Sequence, residues 1–217
     1  LDSFVYRVSH DLKAPVVNLQ SLLQVILSKM QDNDDEVLHK TLFYMGATIE
    51  KLQQTIVDLL EVSRIERGLE VAWEMVDIKD VLEEVILENS EALERTETLM
   101  THHLAEEALQ VYFPRANIKS LLSNLITNSI KYRSSERRPE IELRSEVVGN
   151  YLCLSIRDNG IGIDLERHRE KLFGMFNRFH NHVEGSGVGL YIVKKLMEEA
   201  DGKLELTSEV DEGTTVR

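Results

Sequence analysis

Cysteine, proline and long apolar runs are scarce in this chain, which has one cysteine and three prolines among 217 residues. The lone Cys153 cannot form an internal disulfide, so a disulfide-stabilised scaffold is excluded and a reducing compartment is expected. No run reaches the 18 consecutive apolar residues that a membrane-spanning helix requires. We therefore expect no direct membrane contact from this segment.

Positive charge is also in short supply. The chain has 25 lysines and arginines against 38 aspartates and glutamates, which gives a formal net charge of −13. Because binding of nucleic acid needs cations that neutralise phosphates, nucleic acid is not an expected partner. A nucleotide is not excluded, since backbone N–H groups can form a local anion pocket. We expect a cytoplasmic location, and tethering to a membrane through regions outside these residues stays open.

Residues 1–67 have the apolar periodicity of two long helices. A polar, turn-prone run at 31–35 separates the two patterns, which predicts an all-α helical hairpin. The second pattern follows a seven-residue repeat typical of a helix bundle. Its members are Leu38, Leu42, Met45, Ile49, Leu52, Ile56 and Leu59. Two helices alone cannot bury both apolar stripes, so we expect a homodimer that completes a four-helix bundle.

Residues 68–74 are predicted to be an extended linker, and residues 75–217 a separate α+β sandwich domain. Helical patterns at about 78–95, 115–132 and 187–200 alternate with strand-like runs at about 140–148, 151–157 and 203–210. This alternation indicates helices that cover one face of a mixed sheet.

The segment Ser9–Pro15 contains a candidate nucleophile. His10 lies opposite the apolar stripe of its helix, so it faces solvent. Asp11 can hold the imidazole in the tautomer that leaves one ring nitrogen free, and Pro15 should bend the helix beside it. The alternative is a surface histidine without a task.

Two asparagines stand four residues apart in the helical pattern Asn124–Tyr132. Asn124 and Asn128 therefore share a helix face, with Lys131 nearby. An amide oxygen is a hard, neutral ligand that suits Mg²⁺, so Asn128 is a candidate metal ligand. A buried structural network of the two amides is the competing interpretation.

Two glycine-rich segments flank a predicted loop with several aromatic residues. In the first, Asp158 directly follows a strand, and its carboxylate could accept a hydrogen bond from an adenine amino group. The second, Gly185–Leu190, opens a helix whose N–H groups could meet phosphate oxygens. It is not a P-loop, because no Gly-Lys-Ser/Thr follows. The competing interpretations are a common Asp-Asn-Gly turn, a plain hinge and, for the aromatic loop, a short core helix rather than a lid.

In this order and spacing, the motifs resemble those of bacterial sensor histidine kinases over almost the whole chain. Ser9–Pro15 is similar to their phosphoacceptor box, and Asn124–Tyr132 to their asparagine box. The segments Asp158–Gly162, Phe173–Phe179 and Gly185–Leu190 are similar to the first glycine box, the phenylalanine box and the second glycine box.

The resemblance implies a dimerisation and phosphotransfer hairpin followed by a Bergerat-type ATP-binding domain of the kind found in Hsp90, gyrase and MutL. It implies ATP and Mg²⁺ as cofactors and the receiver domain of a response regulator as a partner. His10 would accept the γ-phosphoryl group, with Asp11 as its hydrogen-bonding partner or base, and Asn128 would ligate Mg²⁺. The other implied nucleotide contacts are Asn124, Lys131, Tyr132, Asp158, Gly160, Gly162, Arg178, Gly185, Gly187, Gly189, Leu190 and Thr214.

Two other classes of protein remain as alternatives. An ATPase of the same nucleotide-binding superfamily without a phosphorelay role would not need His10 on an N-terminal hairpin. A non-enzymatic dimeric scaffold would not need Asn128, Asp158 or the glycine segments. A measurement of ATP binding separates the scaffold from the other two classes.

Overall fold

The computed structural model describes residues 16–26, 35–66, 71–177 and 186–217. The chain divides into two compact units, residues 1–67 and residues 68–217. Within the described ranges, none of the helices has the length and apolar character needed to cross a membrane.

The described residues of the first unit form two helices, α1 (16–26) and α2 (Asp35–Glu66). The side-chain amide of Asn18 in α1 donates a hydrogen bond of 3.2 Å to the Thr48 hydroxyl of α2. Thr41 and Thr48 are buried, and each hydroxyl donates to the carbonyl one turn earlier in its own helix. These internal hydrogen bonds satisfy the hydroxyls, which makes a threonine-lined helix face compatible with burial.

Part of the apolar repeat of α2 is exposed in one chain. Leu42, Ile49 and Ile56, which are seven residues apart, are 50 %, 42 % and 44 % exposed. The buried positions lie beside them in sequence, at Thr41, Thr48 and Thr55. The interior of the hairpin is therefore partly polar. Three of the seven positions of the predicted apolar stripe are open to solvent in one copy, whereas Leu38, Met45, Leu52 and Leu59 are half-buried.

The described residues of the second unit form two sheets. The strands, in chain order, are β1 (Glu74–Asp77), β2 (Leu99–Leu104), β3 (Gln110–Phe113), β4 (Glu140–Val148), β5 (Tyr151–Asp158), β6 (Leu206–Glu209) and β7 (Gly213–Val216). β1 and β3 form an antiparallel pair, and the other five form a sheet in the order β2-β4-β5-β7-β6. β2 runs parallel to β4, whereas the other neighbours in this sheet are antiparallel.

The helices of the second unit are α3 (Ile78–Glu88), α4 (Ser90–Arg95), α5 (Arg115–Lys131), α6 (Leu165–His168) and α7 (Gly189–Glu199). Short 3-10 turns occupy Glu106–Ala108 and Arg169–Lys171. The apolar face of α5 joins α3 and the strands in one core, which contains Val81, Leu82, Val85, Ile118, Leu122, Ile126, Ile141, Leu143 and Ile156. The predicted class, a helical segment followed by an α+β sandwich, is confirmed.

One predicted helix is interrupted. The sequence indicates a single helical pattern over 78–95, but α3 ends before Asn89 and α4 begins at Ser90. The Asn89 side chain donates to the Val85 carbonyl at 2.8 Å, and its backbone N–H donates to the Val85 and Ile86 carbonyls. These bonds satisfy the carbonyls of Val85 and Ile86 in the last turn of α3, which favours the end of the helix at this point.

The strand boundaries also differ from the sequence prediction. The run predicted as a strand over 203–210 has strand geometry only at Leu206–Glu209, and the predicted linker at 68–74 already contains the first residue of β1. Glu74 is ordered as a strand because it pairs with Phe113 of β3. Such long-range pairing is not visible in local periodicity.

Candidate functional site

Helix α5 presents the two predicted asparagines on a half-buried face, away from the core. Ile126 and Ile130 point into the core on the other side of the helix. The Asn124 amide donates to the Ser120 carbonyl at 2.9 Å and lies 3.3 Å from the Ser120 hydroxyl. Its nitrogen is thereby engaged along the helix, and its oxygen is the atom that approaches α7.

Gly189, the first residue of α7, packs directly against this asparagine pair. A Cβ at this position would lie 2.7 Å from Asn124 Oδ1 and 3.5 Å from Asn128 Nδ2. A side chain here would therefore displace the Asn124 amide and come into van der Waals contact with the Asn128 amide. The close approach brings the N-terminus of α7, the positive end of its helix dipole, beside two neutral amides. This is an arrangement that suits an anion and a hard cation together.

Asp158 ends β5 and is held by three hydrogen bonds. Its Oδ1 accepts from the Gly160 backbone N–H at 2.9 Å and from the Thr214 N–H at 3.2 Å. Its Oδ2 accepts from the Ser129 hydroxyl at 3.2 Å. Contacts from α5, β7 and its own loop therefore fix the orientation of the carboxylate.

Burial raises the pKa of the Asp158 carboxyl above its usual value. The hydrogen bonds from Gly160, Thr214 and Ser129 favour the ionised form and offset part of this effect. The three hydrogen bonds do not fully offset the cost of removing the carboxylate from water. A further hydrogen-bond donor would therefore stabilise its ionised form. Asp158 is therefore suited to recognise a hydrogen-bond donor on a ligand.

The loop after β5 is tied to the end of α5. The Ile161 N–H donates to the Tyr132 carbonyl at 2.9 Å, and a Cβ at Gly160 would clash with that same oxygen. Gly162 has φ +65° and would clash with the Glu209 carbonyl if it carried a side chain. The two glycines permit a backbone contact that no other residue would allow.

The predicted site residues form two groups, each of which includes or contacts residues of α5. Asn124 and Asn128 meet Gly189, with Leu190 half-buried in the next position of α7. Near the C-terminal end of α5, Tyr132, Asp158, Gly160 and Thr214 form the second group. Gly162 contacts the end of β6, Gly187 contacts Asn177, and Lys131 is exposed. His10, Asp11, Arg178 and Gly185 lie outside the described residues.

Two residues of this site were not found by reading the sequence. Ser129 directly follows Asn128 in the motif and donates to Asp158. Gly213 has φ +123°, and a Cβ there would clash with the Asp158 carbonyl oxygen. The turn-like Asp211-Glu212-Gly213 run is a weak local signal for the glycine, whereas the contact of Ser129 depends on the packing of α5 against β5.

The chain matches two family models, one for each unit. Residues 1–68 match the His Kinase A (phospho-acceptor) domain. Residues 115–217 match the histidine kinase-, DNA gyrase B- and HSP90-like ATPase family. The chain belongs to the sensor histidine kinases. Membership in the ATPase family also means that the second unit of this histidine kinase core is of an ATP-binding type.

Individual relatives agree with this family. The chain is 32 % identical over 216 residues to the methanogenesis regulatory histidine kinase FilI of Methanothrix harundinacea. The matched region covers 100 % of this chain and 24 % of FilI. The structure of Acinetobacter baumannii histidine kinase AdeS is similar with a TM-score of 0.74 and 26 % identity over 95 % of each chain. The fold also resembles histidine kinase ThkA, solved in complex with the response regulator protein TrrA, with a TM-score of 0.75 and 21 % identity over 99 % of this chain and 59 % of that one. The chain spans about a quarter to a half of the length of the curated relatives that it matches.

Proposed function

We propose that this chain is the catalytic core of a histidine kinase that transfers the γ-phosphoryl group of ATP to its own His10, and from there to an aspartate of a response regulator. The observation that carries the proposal is that one helix, α5, serves two neighbouring sites. Its Asn124 and Asn128 lie against the N-terminus of α7, and its Ser129 donates to the fixed carboxylate of Asp158. A phosphate-binding end and an adenine-binding end are what an adenine nucleotide needs. The family models for both units support this assignment.

Recognition of the base would fall to Asp158. Its three hydrogen bonds come from Ser129, Gly160 and Thr214, which are all donors of the protein itself. The carboxylate can accept another hydrogen bond from an adenine amino group, which a guanine oxo group cannot donate. We therefore expect ATP rather than GTP to be the substrate.

The asparagine pair and α7 would bind the triphosphate. An amide oxygen is a ligand that suits Mg²⁺, and Asn128 would supply it, with the Asn124 oxygen close by at Gly189. Mg²⁺ bound there would neutralise charge on the phosphate oxygens. The N–H groups at Gly189 and Leu190 would donate to the same phosphates, and Lys131 would add a positive charge nearby.

The chemical step would be an in-line displacement at the γ-phosphorus. A ring nitrogen of His10 forms the new bond to phosphorus while the bond to the oxygen of ADP breaks. Asp11 would hold the other ring nitrogen and stabilise the positive charge that develops on the imidazole. The chain's contribution is therefore to position the nucleophile and to stabilise charge, and no covalent chemistry beyond His10 is required.

Replacement of His10 by glutamine tests this proposal. His10→Gln should abolish acid-labile labelling from γ-labelled ATP, because glutamine has no nucleophilic ring nitrogen. Nucleotide affinity should stay within about twofold, since the site on α5 is unchanged. The matched control is His39→Gln on the exposed surface of α2, which should be labelled like the unmodified chain. Label that persists in His10→Gln would contradict the assignment.

We also propose that the active protein is a homodimer through the first unit, and that the receiver domain docks on the same unit. The support is the exposed apolar repeat of α2 at Leu42, Ile49 and Ile56. The match of residues 1–68 to the phospho-acceptor domain and the regulator complex of ThkA are consistent with both partners.

A lysine in the stripe should break the dimer. Ile49→Lys should raise the dissociation constant at least about a hundredfold, because a charge buried without a partner costs about 3 kcal/mol or more. Glu50→Lys introduces lysine at the adjacent exposed position and should leave the dimer intact. Sedimentation equilibrium of the 217-residue chain measures both constants. A monomeric unmodified chain, or equal weakening by the two variants, would contradict the proposed interface.

A further inference from the structure

Arg137 lies between α5 and β4, outside every motif that the sequence analysis singled out. Its side chain is half-buried, and in the described part of the chain its partners are backbone carbonyls rather than carboxylates. Nε donates to the Asn159 carbonyl at 2.6 Å, and Nη2 donates to the Gly160 carbonyl at 2.7 Å. Nη2 also donates to the Asp211 carbonyl. One guanidinium therefore joins the loop after β5 to the turn between β6 and β7.

The first of these loops leads directly to the proposed adenine site. Gly160 is shared: its carbonyl accepts from Arg137, and its N–H donates to Asp158 Oδ1 at 2.9 Å. Arg137 also holds the carbonyl of Asn159, the residue between Gly160 and Asp158. The guanidinium thus fixes the peptide units whose orientation aims a hydrogen bond at the carboxylate.

The second loop reaches Asp158 by another route. Asp211 accepts from Arg137, and its own N–H donates to the Ile161 carbonyl at 2.9 Å. Two residues farther along, Gly213 lies against the Asp158 carbonyl, and the Thr214 N–H donates to Asp158 Oδ1. Both backbone donors to the carboxylate therefore belong to segments that Arg137 holds.

An ordinary surface arginine would not account for this arrangement. Exposed ion pairs contribute little to stability, whereas charge-assisted hydrogen bonds to several carbonyls fix loop geometry. Lysine could not replace the guanidinium, because its ammonium group lacks the planar fork that spans three acceptors. The neighbouring Arg138 offers a contrast: it is exposed and donates from Nε to a single carbonyl, that of Glu97, at 3.1 Å.

We propose that Arg137 is a positioning residue for nucleotide recognition, which holds the Asn159-Gly160 loop and the β6–β7 turn so that Asp158 is aimed at the base. The inference rests on the proposed ATP-binding function. It adds a residue that touches no part of the nucleotide and acts on the choice of base rather than on phosphoryl transfer.

The test compares the affinities for ADP and inosine diphosphate, which has an oxo group where ADP has the amino group. The unmodified chain should prefer ADP at least about a hundredfold, because the oxo group cannot donate to Asp158. In Arg137→Ala the ADP affinity should fall at least about tenfold, and the preference for ADP over inosine diphosphate should also shrink about tenfold. In Arg138→Ala both quantities should stay within about twofold.

The preference between the two nucleotides is the decisive readout, since loss of stability alone would lower the affinities for both nucleotides by the same factor. Titration calorimetry at a temperature where circular dichroism shows each variant folded gives the two constants. If Arg137→Ala does not fold, Arg137→Lys is measured by the same criterion and should show a smaller preference than the unmodified chain. An unchanged preference in the folded variant would overturn the inference. An unmodified chain that binds neither nucleotide would instead overturn the proposed function, and the inference with it.

Discussion

Asp158→Asn is expected to give a folded protein with a much lower affinity for ATP. The asparagine oxygen can still accept from the Gly160 and Thr214 N–H groups, which both use Oδ1 in the native site. Its NH₂ group can donate to the Ser129 hydroxyl, because that hydroxyl also has the Leu125 carbonyl as an acceptor, at 3.1 Å. All local hydrogen bonds can therefore be kept, whereas an NH₂ group cannot accept from an adenine amino group.

The expected loss of affinity is at least about a hundredfold, which corresponds to about 3 kcal/mol. This loss combines a missing charge-assisted hydrogen bond with the placement of two donors, the asparagine NH₂ group and the adenine amino group, against each other. Titration with ATP measures it. The contrast is Asp158→Ala, which leaves the N–H groups of Gly160 and Thr214 without their acceptor and should also lower the melting temperature. Wild-type affinity in a folded Asp158→Asn protein would show that another residue recognises the base.

The same substitution has a predicted pH signature. Because burial raises the pKa of Asp158 in the folded state, the native protein binds its proton more tightly than the unfolded chain does. Stability should therefore fall as the pH rises from the ordinary aspartate value of about 3.9 to the raised folded value, and the loss persists at neutral pH. Asp158→Asn removes this contribution, so at pH 7 its melting temperature should be at least that of the unmodified chain.

Asn128→Asp is expected to lower autophosphorylation at least about a hundredfold. The substitution keeps the shape of the side chain and adds a full negative charge beside the N-terminus of α7, where the triphosphate would bind. At short range, repulsion between like charges in a site of reduced dielectric reaches several kcal/mol. The expected signature is a changed Mg²⁺ dependence together with the lower rate, because the extra carboxylate alters the charge and ligands around the ion.

The matched control for this variant is Asn150→Asp, which makes the same chemical change in the exposed turn between β4 and β5. Asn150 lies at the opposite end of β5 from Asp158, about 25 Å along the strand. The initial rate of autophosphorylation of the Asn150→Asp variant should match that of the unmodified chain. If Asn128→Asp also kept the unmodified rate and Mg²⁺ dependence, Asn128 would have only a structural role.

The elements with strong local signals were predictable from the sequence. The apolar period of α5 and the strand β4 were located within one residue, since each buries one continuous face. The short strands β1 and β3 were missed because their pairing joins residues far apart in the chain, Glu74 with Phe113 among them. The seven-residue repeat of α2 was recognised, but not that Thr41, Thr48 and Thr55 occupy the buried face of one copy. A hydropathy pattern does not show that hydroxyls can be satisfied within their own helix.

The candidate site was predictable where motif and geometry coincide, as at Asp158 and the glycines beside it. It was not predictable where a residue acts through backbone contacts formed only in the fold. Arg137 looks like one charge in the polar run 133–138, and nothing local distinguishes it from Arg138. The difference arises when the sheet brings the loop after β5 and the turn after β6 within reach of one guanidinium.

The measurement that tests the central claim most directly is the location of the phosphoryl group after reaction with ATP. The purified chain is incubated with Mg²⁺ and ATP labelled at the γ-phosphate or, in parallel, at the α-phosphate, and the labelled peptide is identified by mass spectrometry at neutral pH. The account predicts label only from γ-labelled ATP, lost in acid and stable in base, on the peptide that contains His10. Absence of label despite tight ATP binding, or label on another residue, would contradict it.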